Sequence, residues 1–355
     1  MQVLENFPLA PLTTIRVGGP AKYFVEAKDV AEVQEAVTFA RARDLPLFVL
    51  GSGSNLVVAD AGWPGVVLKI AIAGIERRAG QDEDGKVIFD AGAGESWDKF
   101  VSRSVMAQCA GIECLSGIPG SVGGAPVQNV GAYGQEVAET ITSVQVLDLK
   151  DGQIRELCRE ACGFNYRSSI FNTTENGRFI VLRVSYALTP GGKPRLAYAD
   201  LKSHFAGRET SPNLAETREA VRHIRALKGM LIVAGDADCL SVGSFFKNPI
   251  LSAIQHEDLK QRAAARGLTV PSYPALTSHK KVSAAWLVER SGFTKGYGFG
   301  RVGISSKHAL AIVNRGGAKA AEVLALKEQI QHRVEEIWGV KLEAEPVLLG
   351  FEAPQ

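Results

Sequence analysis

The most informative run in this 355-residue chain is Gly117-Ile-Pro-Gly-Ser-Val-Gly-Gly-Ala-Pro-Val-Gln-Asn-Val-Gly-Ala-Tyr-Gly134. Small residues dominate it, so it cannot build a hydrophobic core by itself. A backbone of this kind can approach a ligand closely and aim several N–H groups at it, as the binding of a pyrophosphate requires. The run therefore predicts a loop that binds a diphosphate group.

A second small-residue turn, Gly51-Ser52-Gly53-Ser54-Asn55, directly follows the apolar segment Leu47–Leu50. Taken alone, this turn also fits an ordinary strand connection, because Gly, Ser and Asn are common turn residues. The run at 117–134, in contrast, is too long to be explained as an ordinary turn. Together, the two loops favour a large diphosphate cofactor clamped between two subdomains.

The bulk composition describes an ordinary globular protein. The length predicts two or three domains, and 46% of the residues are hydrophobic and 22% charged. A net charge of +2 without a Lys/Arg block gives no sign of a nucleic-acid partner. The N-terminus has no signal-peptide pattern and the apolar runs are too short to span a membrane. We expect a cytoplasmic protein without membrane insertion.

Cysteine and histidine usage indicates no metal site. The five cysteines lack a C-x-x-C pair, which predicts buried thiols in a reducing compartment. The six histidines are scattered, without the spacing of a metal-binding motif.

The pattern along the chain predicts alternating helices and strands. Asp29 is placed to cap a helix with apolar residues at helical spacing, and strands follow at Leu47–Leu50, Leu56–Val58 and 66–68. No helix opens after the first glycine turn and no G-x-G-x-x-G is present, so this is not a Rossmann start.

Beyond residue 71 the sequence predicts a second set of elements. Strands are expected at 87–90, 144–149 and 166–186, the last interrupted by a turn at 172–177, and a helix is expected at 96–110. A second α+β unit is expected from about 211, with helices after 211 and at 251–266, 283–290 and 318–338. The final strand, at 345–350, is expected to return to an earlier sheet.

Several polar residues could carry chemistry. In the segment 241–249, Ser244 could donate a proton beside a ligand held by Lys247 or Asn248. On composition alone, a strand end with Phe245 and Phe246 in the core is the favoured interpretation. No G-x-S-x-G is present, which disfavours a nucleophilic serine.

Three further residue types have ordinary structural explanations. Arg167, among apolar and aromatic residues, either extends from a strand edge or pairs with an anion, and the first is favoured from the sequence alone. Glu343 and Glu345 fit solvated carboxylates, and Tyr198 fits a half-buried aromatic residue.

In this order, these pieces resemble the UDP-N-acetylenolpyruvoylglucosamine reductases, the MurB family of flavoenzymes of peptidoglycan precursor synthesis. The motifs that carry the resemblance lie at 6–9, 13–19, 51–56, 117–134, 166–171, 243–249 and 342–345 and cover essentially the whole chain. The segment 196–201, which contains Tyr198, is similar to the longer type of the family, in which a tyrosine-bearing insert covers the substrate.

The resemblance implies an α+β fold: a two-subdomain FAD-binding portion of the PCMH/VAO type, plus a smaller α+β substrate-binding domain. The implied boundaries are 1–70 and 71–210 for the FAD-binding subdomains, 211–340 for the substrate domain and 341–355 for a C-terminal strand near the active site. Neither glycine loop contains His or Cys, so the FAD is expected to be non-covalent.

The family's reaction implies that NADPH reduces FAD, which then reduces the enolpyruvyl group of UDP-N-acetylglucosamine enolpyruvate to UDP-N-acetylmuramate. By motif, Ser244 is the proton donor, and Arg167 and Glu345 stabilise the enolic intermediate. Tyr198, Lys228 and Asn248 match substrate-binding positions. The implied FAD-binding residues are Gly51, Ser52, Gly53, Ser54, Asn55, Gly117, Ile118, Pro119, Gly120, Ser121, Gly123, Gly124, Gln128, Asn129, Gly131 and Ala132.

Two departures from the family pattern leave questions open. Residues 229–236 replace the usual Leu-Pro-Asp-Pro after Lys228, and Pro346 follows Glu345 where Val is usual, so Glu343 stays an alternative to Glu345. A flavin oxidase of the same fold and a non-catalytic flavin- or nucleotide-binding protein are the rival hypotheses. A UDP-sugar is the expected partner, and a monomer is expected.

Overall fold

Helices are interspersed among longer runs of strands in the part of the chain that the structure describes. The computed structural model describes residues 1–80, 82, 84–275 and 278–351. The helices are α1 (Val30–Arg41), α2 (Trp97–Met106), α3 (Ala199–His204), α4 (Leu214–Leu227), α5 (Ala253–Ala264), α6 (Ala284–Arg290) and α7 (Ala320–Trp338). The strands are β1 (Leu4–Pro8), β2 (Pro20–Ala27), β3 (Leu47–Leu50), β4 (Leu56–Val58), β5 (Trp63–Ile70), β6 (Ile75–Arg77), β7 (Val87–Gly92), β8 (Cys109–Ala110), β9 (Gly131–Ala132), β10 (Gln135–Glu136), β11 (Ile141–Asp148), β12 (Ile154–Cys158), β13 (Phe179–Pro190), β14 (Ile250–Leu251), β15 (Ser272–Pro274), β16 (Lys280–Val282), β17 (Gly298–Phe299), β18 (Val302–Ile304), β19 (Ile312–Asn314) and β20 (Val347–Leu349).

Contacts divide the chain into two compact units. The first comprises Met1–Phe7, Ala21–Gly53 and Pro64–Leu227. The second comprises Pro8–Pro20, Ser54–Trp63 and the described residues from Lys228 onward. Helix α4 therefore belongs to the first unit, whereas the sequence places it at the start of a substrate domain. The boundaries at 70, 210 and 340 stay a prediction, and residues 352–355 of the segment 341–355 lie outside the described residues.

Two sheets and the helices packed on them make up most of the first unit. One sheet has the order β1-β2-β5-β3, and β3 is parallel to β5. The other has the order β12-β11-β13-β7-β6, in antiparallel register, with β8 paired to the end of β13. A single buried cluster runs from Val33 of α1 and Val66 of β5 to Phe100 of α2 and Val184 of β13. Both sheets share this core, so they form one folding body.

The local sequence explains the helix boundaries. Asp29 caps α1, because its carboxylate accepts a hydrogen bond of 2.9 Å from the Glu32 N–H. Helix α2 ends at Met106, four residues earlier than predicted. Gln108 adopts a left-handed φ of 55°, which cannot continue an α-helix, and the chain then pairs as β8.

The second unit packs its sheets around α7 and Phe245. Its sheets have the orders β14-β16-β15, β17-β18-β19 and β20-β4. The last strand, β20, lies parallel to β4, so the predicted return to an earlier sheet is confirmed, over Val347–Leu349. Trp338 of α7, Phe245 and Leu287 of α6 lie in one buried cluster. This core fixes the segment 241–249 from one side.

Two predicted features differ in the structure. Residues 166–171 form a turn and the 3-10 helix Ile170–Asn172 rather than a strand, because Arg167 has a left-handed φ of 52°. Cys158 is exposed on β12, whereas the other four cysteines are buried as predicted. Within the described residues, no helix combines the length and the apolar character needed to span a bilayer.

Candidate active site

The run at 117–134 is anchored to the large sheet of the first unit by its backbone. The Val122 N–H donates to the Glu95 carbonyl and the Gly123 N–H to the Ala93 carbonyl, each at 2.9 Å. A Cβ at Gly123 would lie 2.6 Å from the Ala93 Cβ, so only glycine allows this approach. The loop is therefore fixed against the protein on one side, which leaves its small residues to form a surface.

The two predicted small-residue loops meet inside the first unit. Gly51 directly follows β3, and a Cβ built there would lie 2.9 Å from Ser121 Oγ. Ser121 in turn caps the short helix Val122–Gly124, since its Oγ accepts from the Gly124 N–H at 3.3 Å. Small side chains, hydroxyls and main-chain amides converge here, which is the donor set that suits a diphosphate.

The remaining predicted cofactor residues differ in exposure. Ser52 is exposed, and Gly53, Gly117, Ser121 and Asn129 are buried. The others are half-buried: Gly51, Ser54, Asn55, Ile118, Pro119, Gly120, Gly123, Gly124, Gln128, Gly131 and Ala132. Ser54 and Asn55 belong to the second unit.

Asn129 uses its amide within the protein. Its Nδ2 donates to Glu136 Oε2 at 2.9 Å and to the Asn165 carbonyl at 3.1 Å, and its Oδ1 accepts from the Ala138 N–H at 3.1 Å. The side chain is 1% exposed. Asn129 therefore holds the loop in shape, and a direct contact of its amide NH₂ with a cofactor would break one of these bonds.

The run ends in a tight hairpin. Strands β9 and β10 are joined by Tyr133 and Gly134, which both have positive φ, 49° and 85°. Two successive left-handed residues are the signature of a type I′ turn. The ring of Tyr133 lies edge-on against Tyr198, with centroids 5.3 Å apart. Tyr198 is 45% exposed at the start of α3.

Arg167 holds this hairpin from the neighbouring turn. Its Nη2 donates to the Gly131 carbonyl at 2.7 Å. The residue is in the left-handed region although it is not glycine, a conformation that costs free energy and is often found at functional sites. The expected position at a strand edge is wrong, because Arg167 lies in the turn closed by Asn165 and Ser168.

In the second unit, Ser244 lies in a turn beside a buried aromatic pair. Gly243 has a φ of 76°, and its N–H donates to Ser241 Oγ at 3.2 Å. Phe245 and Phe246 are buried, as the structural interpretation of this segment predicts. Ser244 itself is half-buried, so the turn keeps its hydroxyl near the surface.

Both Glu343 and Glu345 lie beside the segment 241–249, but their side chains differ in exposure. The Glu345 N–H donates to the Phe245 carbonyl at 2.9 Å, and its own carbonyl accepts from Asn55 Nδ2 at 3.2 Å. The side chain of Glu343 is 76% exposed and faces Lys247 at 3.6 Å. A half-buried position favours Glu345 as the functional carboxylate.

Two predicted substrate residues also lie in the second unit. Asn248 Oδ1 accepts from the Ala284 N–H at 2.9 Å and so caps the start of α6. Lys228 follows α4 directly and is half-buried. The segment after it forms a loop held by Asp238, which accepts from the Ser306 N–H and Oγ at 2.9 and 2.7 Å.

Comparisons with known proteins show which family the chain belongs to. A model described as the FAD binding domain matches residues 21–157, and one described as the C-terminal domain of UDP-N-acetylenolpyruvoylglucosamine reductase matches 236–349. The UDP-N-acetylenolpyruvoylglucosamine reductase of Thermobifida fusca is 43% identical over 98% of both chains. The chain belongs to the UDP-N-acetylenolpyruvoylglucosamine reductase family. The resemblance seen in the sequence is thereby confirmed.

Other relatives and a solved structure agree with this family. The enzyme of the same name from Streptomyces coelicolor is 44% identical over 99% of this chain and 91% of its own length. The crystal structure of MurB from Thermus caldophilus is similar over 98% of both chains, with 27% identity and a TM-score of 0.64. The α+β fold with an FAD-binding portion and a second domain is confirmed, and both small-residue loops fall within the matched FAD-binding segment.

Sequence reasoning missed an arginine cluster under the family's glycine-rich loop. Asp98 Oδ1 accepts from the Gly117 N–H at 2.6 Å and pairs with Arg218 at 2.6 Å and Arg222 at 2.8 Å. Arg218 and Arg222 are four residues apart on α4, so their helical spacing was visible in the sequence, but their target was not.

The charges of this cluster keep Asp98 ionised. Burial, the largest single influence, raises the pKa of Asp98, but the hydrogen bonds from Arg218 and the Gly117 N–H, together with the arginine charges, outweigh it. Its pKa therefore lies below the usual range for an aspartate.

Among the residues that the structure describes, no group of three His, Cys, Asp or Glu side chains is placed to hold a metal ion.

Proposed function

We propose that the protein is an NADPH-dependent flavoenzyme that reduces the enolpyruvyl group of UDP-N-acetylglucosamine enolpyruvate to UDP-N-acetylmuramate, a step of peptidoglycan precursor synthesis. The observation that carries the proposal is the meeting of Gly51 and Ser121 in one unit that the FAD-binding model matches. The names of the 43–44% identical relatives support the same substrate.

The two loops are proposed to hold FAD without a covalent bond. Gly51–Gly53 and the run 117–132 offer main-chain amides and the hydroxyls of Ser52 and Ser121 to the cofactor diphosphate. The chemistry that FAD supplies when bound is transfer of a hydride from NADPH to the enolpyruvyl double bond.

The protein must then supply one proton and stabilise one developing negative charge. Hydride added to the terminal carbon leaves negative charge on the carbon next to the carboxylate. We assign Ser244 as the acid that protonates this carbon, and Arg167 and Glu345 as the groups that stabilise the enolic form. Glu345 can help only when it is protonated or bridged by a cation, because two carboxylates repel each other.

The substrate diphosphate and sugar are assigned to Lys228, Asn248 and Tyr198. Lys228 supplies a point charge for phosphate, and Tyr198 presents an exposed ring and hydroxyl. The Oδ1 of Asn248 is used by the Ala284 N–H, so its amide NH₂ is the group assigned to the substrate. A cytoplasmic location and a monomeric state, without a nucleic-acid partner, complete the proposal.

The test is an anaerobic titration of the purified flavoprotein. NADPH should bleach the visible flavin absorption, and UDP-N-acetylglucosamine enolpyruvate should restore it with formation of UDP-N-acetylmuramate. Rapid oxygen consumption with a sugar alcohol would instead indicate a flavin oxidase. A flavin that NADPH bleaches but the substrate does not reoxidise would indicate a binding protein without this activity.

A further inference from the structure

Arg225, on the last turn of α4, is a buried cation in the first unit. It is 9% exposed. Its Nε donates to the Gly117 carbonyl at 3.1 Å, and its guanidinium also hydrogen-bonds the hydroxyl of Tyr133. A guanidinium keeps its charge in a protein, so this site holds a permanent positive charge under the loop.

Gly117 and Tyr133, two partners of Arg225, mark the two ends of the glycine-rich run. Gly117 is its first residue and Tyr133 its last but one. Gly117 has a left-handed φ of 71°, and Tyr133 forms the hairpin turn with a φ of 49°. One guanidinium thus joins the first residue of the run to its terminal hairpin, in addition to the backbone bonds that hold its middle at Val122 and Gly123.

Helix α4 acts on both peptide groups of Gly117, on one directly and on the other through Asp98 of α2. The Gly117 N–H bonds Asp98, which Arg218 and Arg222 hold, and its carbonyl bonds Arg225. Three arginines at helical spacing on α4 therefore act on Gly117, two of them through the carboxylate of Asp98 and one directly.

We propose that Arg225 is a positioning residue that closes the glycine-rich loop and so prepares it for the cofactor. This inference rests on the proposed function, in which the loop binds FAD. Closing the loop in advance removes part of the ordering entropy that binding would otherwise cost. Through Tyr133, the same guanidinium also sets the ring against which Tyr198 packs.

The chemistry of the site requires arginine. The planar fork of a guanidinium can donate in two fixed directions at once, to a carbonyl and a phenol oxygen. Burial raises the pKa of Tyr133 to about 12, so the phenol stays neutral and available as an acceptor. Lysine would keep the charge, but its three N–H donors share one nitrogen on a flexible stem and lack the fixed fork of a guanidinium.

The experiment compares Arg225→Lys, Tyr133→Phe and their double variant with the wild-type chain, and uses Arg208→Gln as a control. Arg208 is an exposed residue between α3 and α4 that pairs with Glu216 of α4. FAD affinity is measured by flavin fluorescence on the deflavinated full chain. Hydrogen–deuterium exchange reports residues 117–134 and α4 separately.

We expect about tenfold weaker FAD binding for Arg225→Lys and roughly threefold for Tyr133→Phe, with the control unchanged. Hydrogen–deuterium exchange should become faster in 117–134. The loss of FAD affinity in the double variant should be smaller than the product of the two single losses. If Arg225→Lys does not fold, Tyr133→Phe alone still tests one end of the closure.

Three results overturn the inference. The first is an FAD affinity of Arg225→Lys within twofold of wild type. The second is a loss of FAD affinity in the double variant equal to the product of the two single losses. The third is faster hydrogen–deuterium exchange in α4 alone, which would show that Arg225 only anchors the helix. A wild-type chain that binds no FAD would instead contradict the proposed function, so the two failures are distinguishable.

Discussion

Gly51 lies so close to Ser121 that the side chain at 121 would have to move for any larger residue at 51. The Cβ of an alanine would meet Ser121 Oγ at 2.9 Å but Ser121 Cβ at 4.0 Å, which is ordinary contact. The hydroxyl is therefore the whole obstacle, and it is also the cap of the Val122–Gly124 helix.

Gly51→Ala is expected to displace this cap and weaken FAD binding. A lost cap of this kind costs about 1 kcal/mol of stability. When FAD binding has to restore the loop, the same free energy weakens the dissociation constant roughly fivefold. In a Ser121→Ala background the obstacle is gone, so the further effect of Gly51→Ala should be small. Flavin fluorescence titration of wild type, the two single variants and the double variant measures these FAD affinities. If the two substitutions weaken FAD binding independently, the contact between Gly51 and Ser121 does not matter for binding.

Ser244→Ala should abolish proton delivery without affecting the first half-reaction. NADPH should still bleach the flavin, whereas substrate reduction should slow by about 10²–10⁴, the usual contribution of a positioned acid. Stopped-flow absorbance separates the two steps. Ser203→Ala, an exposed serine on α3, is the matched control. Unchanged turnover in Ser244→Ala would remove the serine from the mechanism.

Glu345→Gln and Glu343→Gln decide between the two carboxylates of the last segment. Glu345 is half-buried beside the Phe245 carbonyl, so its replacement should lower kcat by about 10² or more if it stabilises the enolic form. Glu343 is 76% exposed, and an exposed pair with Lys247 contributes little. Steady-state kinetics with both variants is the measurement. The assignment is reversed if only Glu343→Gln loses activity.

The stability contributed by Asp98 should disappear in acid. Its pKa is lowered in the folded protein, whereas an aspartate in an unfolded chain titrates near ~4. The carboxylate therefore stabilises the fold above that pH, and the stabilisation is lost as the pH falls through the lower, folded pKa. Asp98→Asn should lower the urea midpoint at pH 7 and lower it less near pH 3.

The control for this pH dependence is Asp258→Asn, which removes an exposed pair with Arg262 on α5. Its effect should be small at both pH values. A constant difference between wild type and Asp98→Asn across the pH range would show that the ion pairs with Arg218 and Arg222 do not stabilise the fold.

The sequence predicts a local element well where a single residue type determines it. The structure confirms Asp29 as the cap of α1, and it places glycines of the two loops where the chain approaches other atoms too closely for a side chain. The strand predicted through 166 failed at Arg167, because a left-handed arginine has no signature in a single sequence.

Long-range partners could not be predicted from the sequence. Arg218, Arg222 and Arg225 look like the solvated face of a helix, and only the packing of α4 against Gly117 and Asp98 gives them a role. The choice of Glu345 over Glu343 likewise depends on which carboxylate the fold leaves exposed. Composition and periodicity carry no information about such contacts.

The pairing of β20 with β4 has a consequence for the order of folding. Val347 lies beside Leu56, and Asn55 bonds the Glu345 carbonyl across 290 positions of sequence. On the ribosome, β4 must wait until the residues up to β20 have been synthesised before its partner strand is available. Glu345 reaches its place in the same event, so the second unit acquires this carboxylate only after the long segment between β4 and β20 has been made.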